Sequence, residues 1–332
     1  MKFNVKITGV GVYEPKNIIN SFDVDEIANV KKGTVKKKIK VLNRRYVEDE
    51  TVSYMAKEAI LQALENANLK KEDLDLICYT GASIEQIIPS TSSLIQKQLD
   101  LLDSGIACFD INSTCLSFVT ALDHLSIVVE SNRYKNIAIV SSEIASKCIN
   151  YNHLESAGLF GDGAACIILQ KSEDKNNCIY EGLHRTYSIG ANLCQIEYGG
   201  SKFPPNDKNY TKETKEKFLF EMKGKEVFEL SYKKLPDFLE ELLKKSDIDL
   251  ADIDYIVPHQ ASPSSLRIIS KKLNFKKEKM INIVSEYGNM IAASIPFALS
   301  KAILDGKIKR GNKILLIGTS AGVSIGGVVL KY

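Results

Sequence analysis

Short apolar runs alternate with amphipathic helical patterns along this chain. The apolar runs have the length of buried strands, and they predict strands over residues 6–12, 76–80, 107–111, 137–140, 164–169, 255–257, 281–284, 313–317 and 326–330. Between them, apolar residues recur at helical spacing, which predicts helices over residues 53–67, 116–130, 225–245 and 291–304. This alternation is typical of an α/β fold in which helices cover mixed sheets.

The chain also contains a sequence repeat. Residues 73–83 (DLDLICYTGAS) align without a gap with residues 252–262 (DIDYIVPHQAS), 179 positions later. Two similar halves explain this match, and chance likeness between apolar strands is the alternative. If the halves pair about a pseudo-twofold axis, the turns after corresponding strands meet at one site. We assign residues 1–171 to an N-terminal half and 172–332 to a C-terminal half, and we read the polar stretch 171–217 mainly as a long loop.

Composition narrows the function classes. The chain has 332 residues, with 44% hydrophobic and 26% charged, and a net charge of +3 from 44 basic and 41 acidic residues. This balance gives no reason to expect nucleic acid or an anionic membrane as a partner. The N-terminus lacks a secretory pattern and no run of about 18 apolar residues occurs, so we expect a cytoplasmic protein without membrane insertion. Seven cysteines without C-x-x-C or zinc-type Cys/His spacing predict neither a disulfide framework nor a structural metal.

A basic segment at residues 31–45 is the strongest local charge feature. It is either a solvated surface stretch or a docking patch for a phosphate-bearing carrier, such as acyl carrier protein or coenzyme A. The docking candidates are Lys36, Lys37, Lys38, Arg44 and Arg45.

Cys115 is the candidate nucleophile. It follows a predicted strand and opens a predicted helix, where the helix dipole would lower the pKa of its thiol and favour a covalent acyl acceptor. His259 follows the strand 255–257, and Asn289 lies in a turn before a helix. Taken singly, each residue has a plainer reading: a buried small side chain for Cys115, a structural histidine for His259, and a cap or turn residue for Asn289.

Together these segments resemble the ketoacyl-acyl-carrier-protein synthase III family of condensing enzymes, within the thiolase superfamily. The likeness covers nearly the whole chain, and Asn289 follows His259 by 30 residues, which is the spacing expected for the family. The segments that carry it are RRYVEDETVS (44–53), FDINSTCLSF (109–118), LFGDGAA (159–165), KGKEVFEL (223–230), VPHQAS (257–262), YGNMIAAS (287–294) and GTSAGVSIGG (318–327).

The resemblance implies a thiolase fold, with two similar α/β halves in a five-layered α-β-α-β-α arrangement of mixed sheets. It also implies that Cys115 accepts an acyl primer, while the backbone N–H groups of Cys115 and Gly322 form the oxyanion hole. His259 and Asn289 would then polarise a malonyl thioester for decarboxylative condensation to a 3-ketoacyl thioester. Acyl carrier protein or coenzyme A thioesters as substrates, no metal or redox cofactor, and a homodimer are further implications.

Several positions depart from the family pattern. Leu116-Ser117 replaces the usual Ala-Gly after the nucleophile, so Leu116 is a candidate for the acyl pocket. Ile88 is a second acyl-pocket candidate, because many acetyl-primed relatives carry phenylalanine there. Ser262 replaces the asparagine of HQAN, and Ser264 replaces a nearby arginine that Arg267 would stand in for at the docking surface. The chain contains no tryptophan that could stack on an adenine.

Other activities fit the same fold. A longer or branched primer, or transfer of the acyl group to an oxygen or nitrogen nucleophile, would place the protein in a specialised pathway. Degradative thiolysis normally uses a second cysteine near the site, and the tail turn at residues 318–327 contains none. A hydroxymethylglutaryl-type condensation and a non-catalytic subunit that binds an acyl carrier complete the alternatives.

Overall fold

The fold was obtained as a computed structural model, which describes residues 2–174 and 177–332. Its strands are β1 Val5–Tyr13, β2 Asn17–Asn20, β3 Asn43–Tyr46, β4 Leu76–Tyr79, β5 Ala107–Asp110, β6 Ile137–Glu143, β7 Gly163–Lys171, β8 Cys178–Thr186, β9 Cys194–Gln195, β10 Glu221–Met222, β11 Tyr255–Pro258, β12 Lys313–Ser320 and β13 Ser324–Lys331. Its α-helices are α1 Ser21–Ile27, α2 Thr34–Lys38, α3 Val52–Ala67, α4 Thr91–Gln98, α5 Ser117–Glu130, α6 Leu154–Leu159, α7 Gly224–Ser246, α8 Pro263–Lys272, α9 Val284–Tyr287 and α10 Ser294–Leu304.

Two mixed sheets form the frame of the molecule. The first has the strand order β1-β7-β6-β4-β5, and the second has the order β11-β12-β13-β8. In each sheet, parallel strands at one side give way to antiparallel strands at the other. Strands β4 and β6 are buried along their whole length, which explains why their residues are apolar or small except for Glu143 at the end of β6.

The helices complete five layers. Helices α5 and α10 pack between the two sheets, where their apolar faces and both inner sheet faces form the central core. Helices α3 and α4 cover the outer face of the first sheet, and α7 and α8 cover the outer face of the second. This α-β-α-β-α arrangement confirms the thiolase fold that the resemblance implied.

The repeat in the sequence corresponds to a repeat in the structure. Strands β4 and β11 start at Leu76 and Tyr255, which are separated by the same 179 positions as the matching segments. Helices α5 and α10 are both preceded by a single 3-10 turn, at Thr114–Leu116 and Ile291–Ala293. The last strand of the first sheet ends at Lys171, and the first strand of the second begins at Cys178.

Two sequence predictions were wrong. Residues 281–284 form no strand, because the side chain of Gln260 accepts the backbone N–H groups of Ile283 and Val284 that a neighbouring strand would pair with. The stretch 171–217 is not a loop throughout, because it contains strand β8. This strand lies at a sheet edge and is only partly buried, so it lacks the apolar run by which the other strands were recognised.

Outside the five layers, β2 and β3 pair as a small antiparallel sheet, and α1 and α2 lie between them in sequence. Their apolar side chains pack with those of α6 and of the segment after β6 in a separate cluster. Among the described residues, no helix has both the length and the apolar character needed to cross a membrane.

Candidate active site

A cavity of about 1060 Å³ lies where residues of the N-terminal and C-terminal halves meet. Its wall includes Cys115, His259 and Asn289, together with the end of β12 and the residue that follows it, Ala321. Cys115 comes from the first half and the other two from the second. The fold therefore brings the three residues that the sequence singled out to one cavity.

Cys115 lies in a strained turn between β5 and α5. The preceding residue, Thr114, has a φ of 53°, a left-handed conformation that β-branched residues rarely adopt. Side chains hold this turn: the Thr114 N–H donates to Asn112 Oδ1 at 2.8 Å, and the Ser117 hydroxyl donates to the Thr114 carbonyl at 2.6 Å. Backbone strain of this kind persists where the surroundings enforce it, as at many functional sites. The turn fixes the position of the thiol at the cavity wall.

The thiol of Cys115 is not activated in the free protein. Burial raises its pKa to about 12, and nearby Cys194 and Glu143 raise it further, while the backbone N–H groups of Ala321 and Cys115 act in the opposite direction. The expectation of a lowered pKa was therefore wrong. Helix α5 begins only at Ser117, and the loss of hydration outweighs the favourable end of its dipole.

The second backbone donor beside the thiol is Ala321, not Gly322. The Ala321 N–H acts to lower the pKa of the Cys115 thiol, which places this donor beside the sulfur, and Ala321 lines the cavity. Gly322 lies one residue further into the turn between β12 and β13, with a φ of 133°, and is not part of the cavity wall. Because β12 ends at Ser320, the residue that directly follows the strand is the one that reaches the thiol.

His259 extends the pairing of β11 with β12. Its backbone N–H donates to the Ile317 carbonyl at 2.8 Å. Gly318 makes room for the base of the His259 side chain, since a Cβ on Gly318 would lie 2.7 Å from the Cβ of His259. Burial lowers the pKa of His259 to about 4, so the ring is neutral near pH 7. Its Nδ1 is buried without a hydrogen-bond partner among the described residues, which favours placing the proton on Nε2.

Gln260 connects the histidine segment to the segment that leads to Asn289. Its side chain is fully buried and uses both ends of the amide. The amide donates to the carbonyls of Pro258 at 2.7 Å and Ile281 at 3.2 Å, and it accepts from the N–H groups of Ile283 at 2.9 Å and Val284 at 3.1 Å. These four bonds hold the two segments in one fixed arrangement.

Asn289 is held so that its amide nitrogen is the available group. Its Oδ1 accepts from the Ile291 N–H at 2.8 Å and from the Ser294 hydroxyl at 3.4 Å. Its Nδ2 makes a single long hydrogen bond, to the Ala261 carbonyl at 3.4 Å. A carboxamide fixed in this way can donate a hydrogen bond to a carbonyl oxygen in the cavity.

Glu143 supports the cavity wall, and the sequence did not single it out. It ends β6, is fully buried, and accepts the N–H groups of Ala82 at 2.7 Å, Ser83 at 2.8 Å and Ala292 at 3.3 Å. Burial raises its pKa to about 7 against the effect of these hydrogen bonds. The carboxylate joins the cavity wall at residues 82–83 to the turn after Asn289. An acid closing an otherwise uncharged strand, IAIVSSE, was the signal available in the sequence.

A second thiol shares the cavity. Cys194, on β9, lines the wall, and burial raises its pKa to about 11. Cys148 lines the same wall. The argument that no second cysteine lies near the site considered only the tail turn, and the structure corrects it.

The two acyl-pocket candidates lie outside the wall of the cavity in the single chain. Leu116 is buried in the central core, where its methyl groups occupy the space that Gly318 and Gly326 leave by lacking side chains. Ile88 is 82% exposed. Instead, the wall nearest this loop is formed by residues 82–85.

The docking candidates differ in their positions. Arg44 is fully buried and donates to the Gly158 carbonyl at 2.7 Å, and burial lowers its pKa, so it is not a surface cation. Arg45 pairs with Glu14 at 3.4 Å. Lys36 and Lys37 are exposed on α2, Arg267 is exposed on α8, and only Lys38 of this group lines the cavity. Two further exposed lysines that the sequence did not suggest, Lys147 and Lys225, also line it.

These parts define a class of enzyme. A thiol with two backbone N–H groups can take up an acyl group and stabilise its oxyanion, and a neutral imidazole beside a carboxamide can stabilise an enolate. On this fold, such a site is that of a condensing acyltransferase.

The chain belongs to the 3-oxoacyl-acyl-carrier-protein synthase III family. Residues 109–185 match the family profile described as 3-Oxoacyl-[acyl-carrier-protein (ACP)] synthase III, and residues 243–332 match the profile of its C-terminal part. The chain is 32% identical over 327 residues to the beta-ketoacyl-[acyl-carrier-protein] synthase III of Aquifex aeolicus, covering 98% of this chain and 99% of that protein. It is 31% identical to the enzyme of Fusobacterium nucleatum, covering 99% of each.

Solved structures agree with this assignment. The crystal structure of the Aquifex aeolicus enzyme superposes with a TM-score of 0.88 at 32% identity, covering 99% of this chain and 100% of that one. Cerulenin-bound OleA from Xanthomonas campestris superposes with a TM-score of 0.87 at 21% identity, covering 100% of this chain and 98% of that one, which is a likeness of fold alone.

Proposed function

We propose that this enzyme transfers an acyl primer to Cys115 and condenses it with a malonyl group on acyl carrier protein, giving a 3-ketoacyl thioester and CO₂. The observation that carries the proposal is that Cys115, His259 and Asn289 line one cavity, with the Ala321 N–H beside the thiol. A site with these groups can perform both half-reactions without a metal or redox cofactor, and we propose that it uses none.

In the first half-reaction, the sulfur of Cys115 attacks the thioester carbonyl of the donor. The thiol gives up its proton as the new C–S bond forms, and the departing carrier thiolate takes up a proton. Negative charge on the carbonyl oxygen is stabilised by the N–H groups of Cys115 and Ala321. Because the free thiol has a raised pKa, these donors matter most once the substrate is bound.

In the second half-reaction, the malonyl thioester carbonyl accepts hydrogen bonds from His259 Nε2 and Asn289 Nδ2. The bond to the carboxylate breaks, CO₂ leaves, and the electron pair forms an enolate. The enolate carbon attacks the acyl carbonyl on Cys115, so a C–C bond forms and the thiolate is released. Neutral His259 suits this role, since it offers one N–H without a net charge.

The phosphate-bearing arm of the carrier would enter beside the exposed lysines that line the cavity, Lys38, Lys147 and Lys225. Clustered ammonium groups attract phosphate and acidic protein surfaces. Lys225 is exposed, and its ion-pair contact to Glu229 at 3.8 Å is weak because both side chains face solvent. Arg267 on α8 remains a candidate for a more distant contact with the carrier.

A homodimer is part of the proposal. Ile84, Ile87 and Ile88 lie together in one loop and are 53%, 72% and 82% exposed. Strand β5 forms an open sheet edge on which Phe109 is 37% exposed. A second copy covering this loop and edge would bury them, and Ile88 could then limit the acyl pocket of the other copy. The cytoplasmic location likewise remains a prediction from the sequence.

The test is intact-protein mass spectrometry after incubation with acetyl, medium-chain, long-chain and branched donors on coenzyme A and on carrier protein. We expect a mass gain equal to one acyl group with the preferred donor, and none in Cys115→Ala. A gain that persists in Cys115→Ala would overturn the role of this thiol. Acylation at Cys115 followed by transfer to an alcohol or amine, rather than to malonyl carrier protein, would favour the oxygen or nitrogen acyltransferase alternative.

A further inference from the structure

Three potential metal ligands converge away from the catalytic cavity. Asp123 and His124 lie on α5, and His184 lies on β8. The Oδ2 of Asp123 is 3.6 Å from His184 Nε2 and 4.0 Å from His124 Nδ1. One ligand atom from each residue lies within 4.8 Å of the others. Two of the four histidines of the chain thus meet at one carboxylate.

The nitrogen of His184 that faces the carboxylate lacks a hydrogen bond. Its Nε2 is buried and has no hydrogen-bond partner among the described residues, and 3.6 Å to Asp123 is longer than a hydrogen bond. A buried imidazole nitrogen without a partner is costly unless water or an ion satisfies it. The position therefore needs a further ligand.

Two glycines leave room for these side chains. A Cβ on Gly182 would lie 2.1 Å from Asp123 Oδ1, and a Cβ on Gly326 would lie 2.8 Å from His184 Nδ1. Any larger residue would displace the carboxylate or the ring. Both positions lie on paired strands of the second sheet, so the sheet itself provides the space in which the group forms.

The donors suit one class of ion. Two imidazole nitrogens and one carboxylate oxygen are a common ligand set for Zn²⁺, with water in the fourth position. The ligand atoms lie within 4.8 Å of one another, and small side-chain rotations would bring them to the separations of a tetrahedral site. His124 donates Nδ1–H to the Thr120 carbonyl at 2.8 Å, so the ligand atom of this ring is Nε2 and not the Nδ1 that lies 4.0 Å from Asp123. A ring N–H bound to a backbone carbonyl is a typical outer contact of a metal-bound histidine.

We propose that Asp123, His124 and His184 bind a Zn²⁺ ion that links helix α5 to strand β8. The zinc spacing sought in the sequence involved cysteines and short intervals, whereas His184 lies 60 positions after His124 and meets it only in the fold. Helix α5 starts two residues after Cys115, and β8 belongs to the second sheet. The ion would therefore join the two halves behind the nucleophile and stabilise the folded state.

The test is a calorimetric titration of ZnCl₂ into protein stripped with chelator, carried out in a Cys115→Ala, Cys148→Ser, Cys194→Ser background so that cavity thiols cannot bind zinc. We expect one Zn²⁺ per chain and a rise in thermal midpoint. His184→Gln and His124→Gln should each weaken binding by at least about tenfold and remove that rise. His153→Gln is the matched control, because His153 is exposed and lies outside the group.

Because His124 is 61% exposed, its replacement should leave the fold intact even if His184→Gln unfolds the protein. Absence of zinc binding by the parent that lacks the three cavity thiols would overturn the proposal. Equal affinity in the parent and in His124→Gln would overturn it as well. The readout is independent of catalysis, so failure here leaves the proposed condensation unaffected.

Discussion

At the scale of single residues, the two titratable groups of the reaction are both neutral in the free protein. Burial raises the pKa of Cys115 to about 12 and lowers that of His259 to about 4. The site therefore holds a thiol and an imidazole, not a thiolate and imidazolium pair. Charge arises only as the acyl group is transferred, where the N–H groups of Cys115 and Ala321 can stabilise it.

The pH dependence of thiol alkylation tests this protonation state. We expect the rate at which iodoacetamide alkylates Cys115 to rise about tenfold per pH unit from about pH 6 to about pH 9, because only the small thiolate fraction reacts. Mass mapping of the Cys115 peptide, with Cys115→Ala as the background, measures this rate. A rate that levels off below about pH 8 would mean that the thiol is activated before substrate binds.

The position of Leu116 leads to a second prediction. Leu116→Ala should lower the free energy of unfolding by about 2–5 kcal/mol, because a buried side chain of the central core is lost. Donor preference should not change, since Leu116 does not line the cavity. Ile84→Ala is the comparison: Ile84 lines the cavity but is 53% exposed, so donor preference should shift with a smaller loss of stability. Urea denaturation and the donor panel measure both effects, and a changed donor preference in Leu116→Ala would refute this placement.

Residues whose flanking sequence is distinctive were the ones that the sequence could identify. Cys115, His259 and Asn289 each sit in a recognisable segment, and all three line the cavity. Ala321 and Glu143 were missed because their roles come from backbone direction and from contacts between distant segments. Arg44 was wrongly predicted to be a surface cation for a related reason. A run of basic residues does not reveal that one of their side chains is buried and donates to the Gly158 carbonyl.

At the scale of elements, the same strained turn occurs twice. Thr114 and Ile291 are the first residues of the 3-10 turns before α5 and α10, and both are β-branched with φ of 53° and 46°. One turn presents Cys115 and the other follows Asn289. Corresponding elements of the two halves thus supply catalytic positions by the same backbone device.

Glu143, at the end of β6, supports a prediction on stability and pH. Its pKa is raised from 4.5 to about 7, so the folded state binds more protons than the unfolded state between these values, and stability falls as pH rises through this window. From about pH 5 to about pH 8, the wild type should lose about 2 to 3 kcal/mol relative to Glu143→Gln. Parallel urea denaturation series measure the difference, in which contributions from other groups cancel. Parallel stability curves would show that Glu143 does not titrate as inferred.

Element boundaries followed from the sequence where burial was two-sided. Strands β4, β6 and β7 were predicted from apolar runs, because helices cover both faces of their sheet. Strand β8 was missed because its exposed edge carries polar residues. Residues 281–284 were predicted as a strand from their apolar side chains. An apolar run does not reveal that the side chain of Gln260 accepts the N–H groups of Ile283 and Val284.

At the scale of the whole molecule, duplication explains both the fold and the site. The four strands of the second sheet, β8-β13-β12-β11, repeat the order β1-β7-β6-β4 of the first sheet, which has β5 in addition. The matching turns meet at one cavity, so neither half contains a complete site. The repeat of residues 73–83 at 252–262 made this arrangement predictable. Lys38 was a docking candidate from the sequence, but the cavity size and the places of Lys147 and Lys225 at its wall could not be predicted, because they depend on how distant segments pack.

Those lysines lead to a prediction for the carrier. The double variant Lys38→Glu, Lys147→Glu should raise KM for malonyl carrier protein by about tenfold and leave kcat nearly unchanged, because the charges act on association. The effect should shrink as salt is added. Lys309→Glu is the control, since Lys309 is exposed and does not line the cavity. Equal effects of the double variant and the control would remove the docking role.

The most direct test of decarboxylative condensation is a chase of the acylated enzyme. Wild type, His259→Ala and Asn289→Ala are first loaded with the preferred donor, and malonyl carrier protein is then added while the enzyme-bound acyl group and the 3-ketoacyl product are followed by mass spectrometry. We expect all three to form the acyl-enzyme, and only wild type to convert it rapidly to product with release of CO₂. If His259→Ala failed to acylate yet still decarboxylated malonyl carrier protein, the assignment of roles in this site would be contradicted.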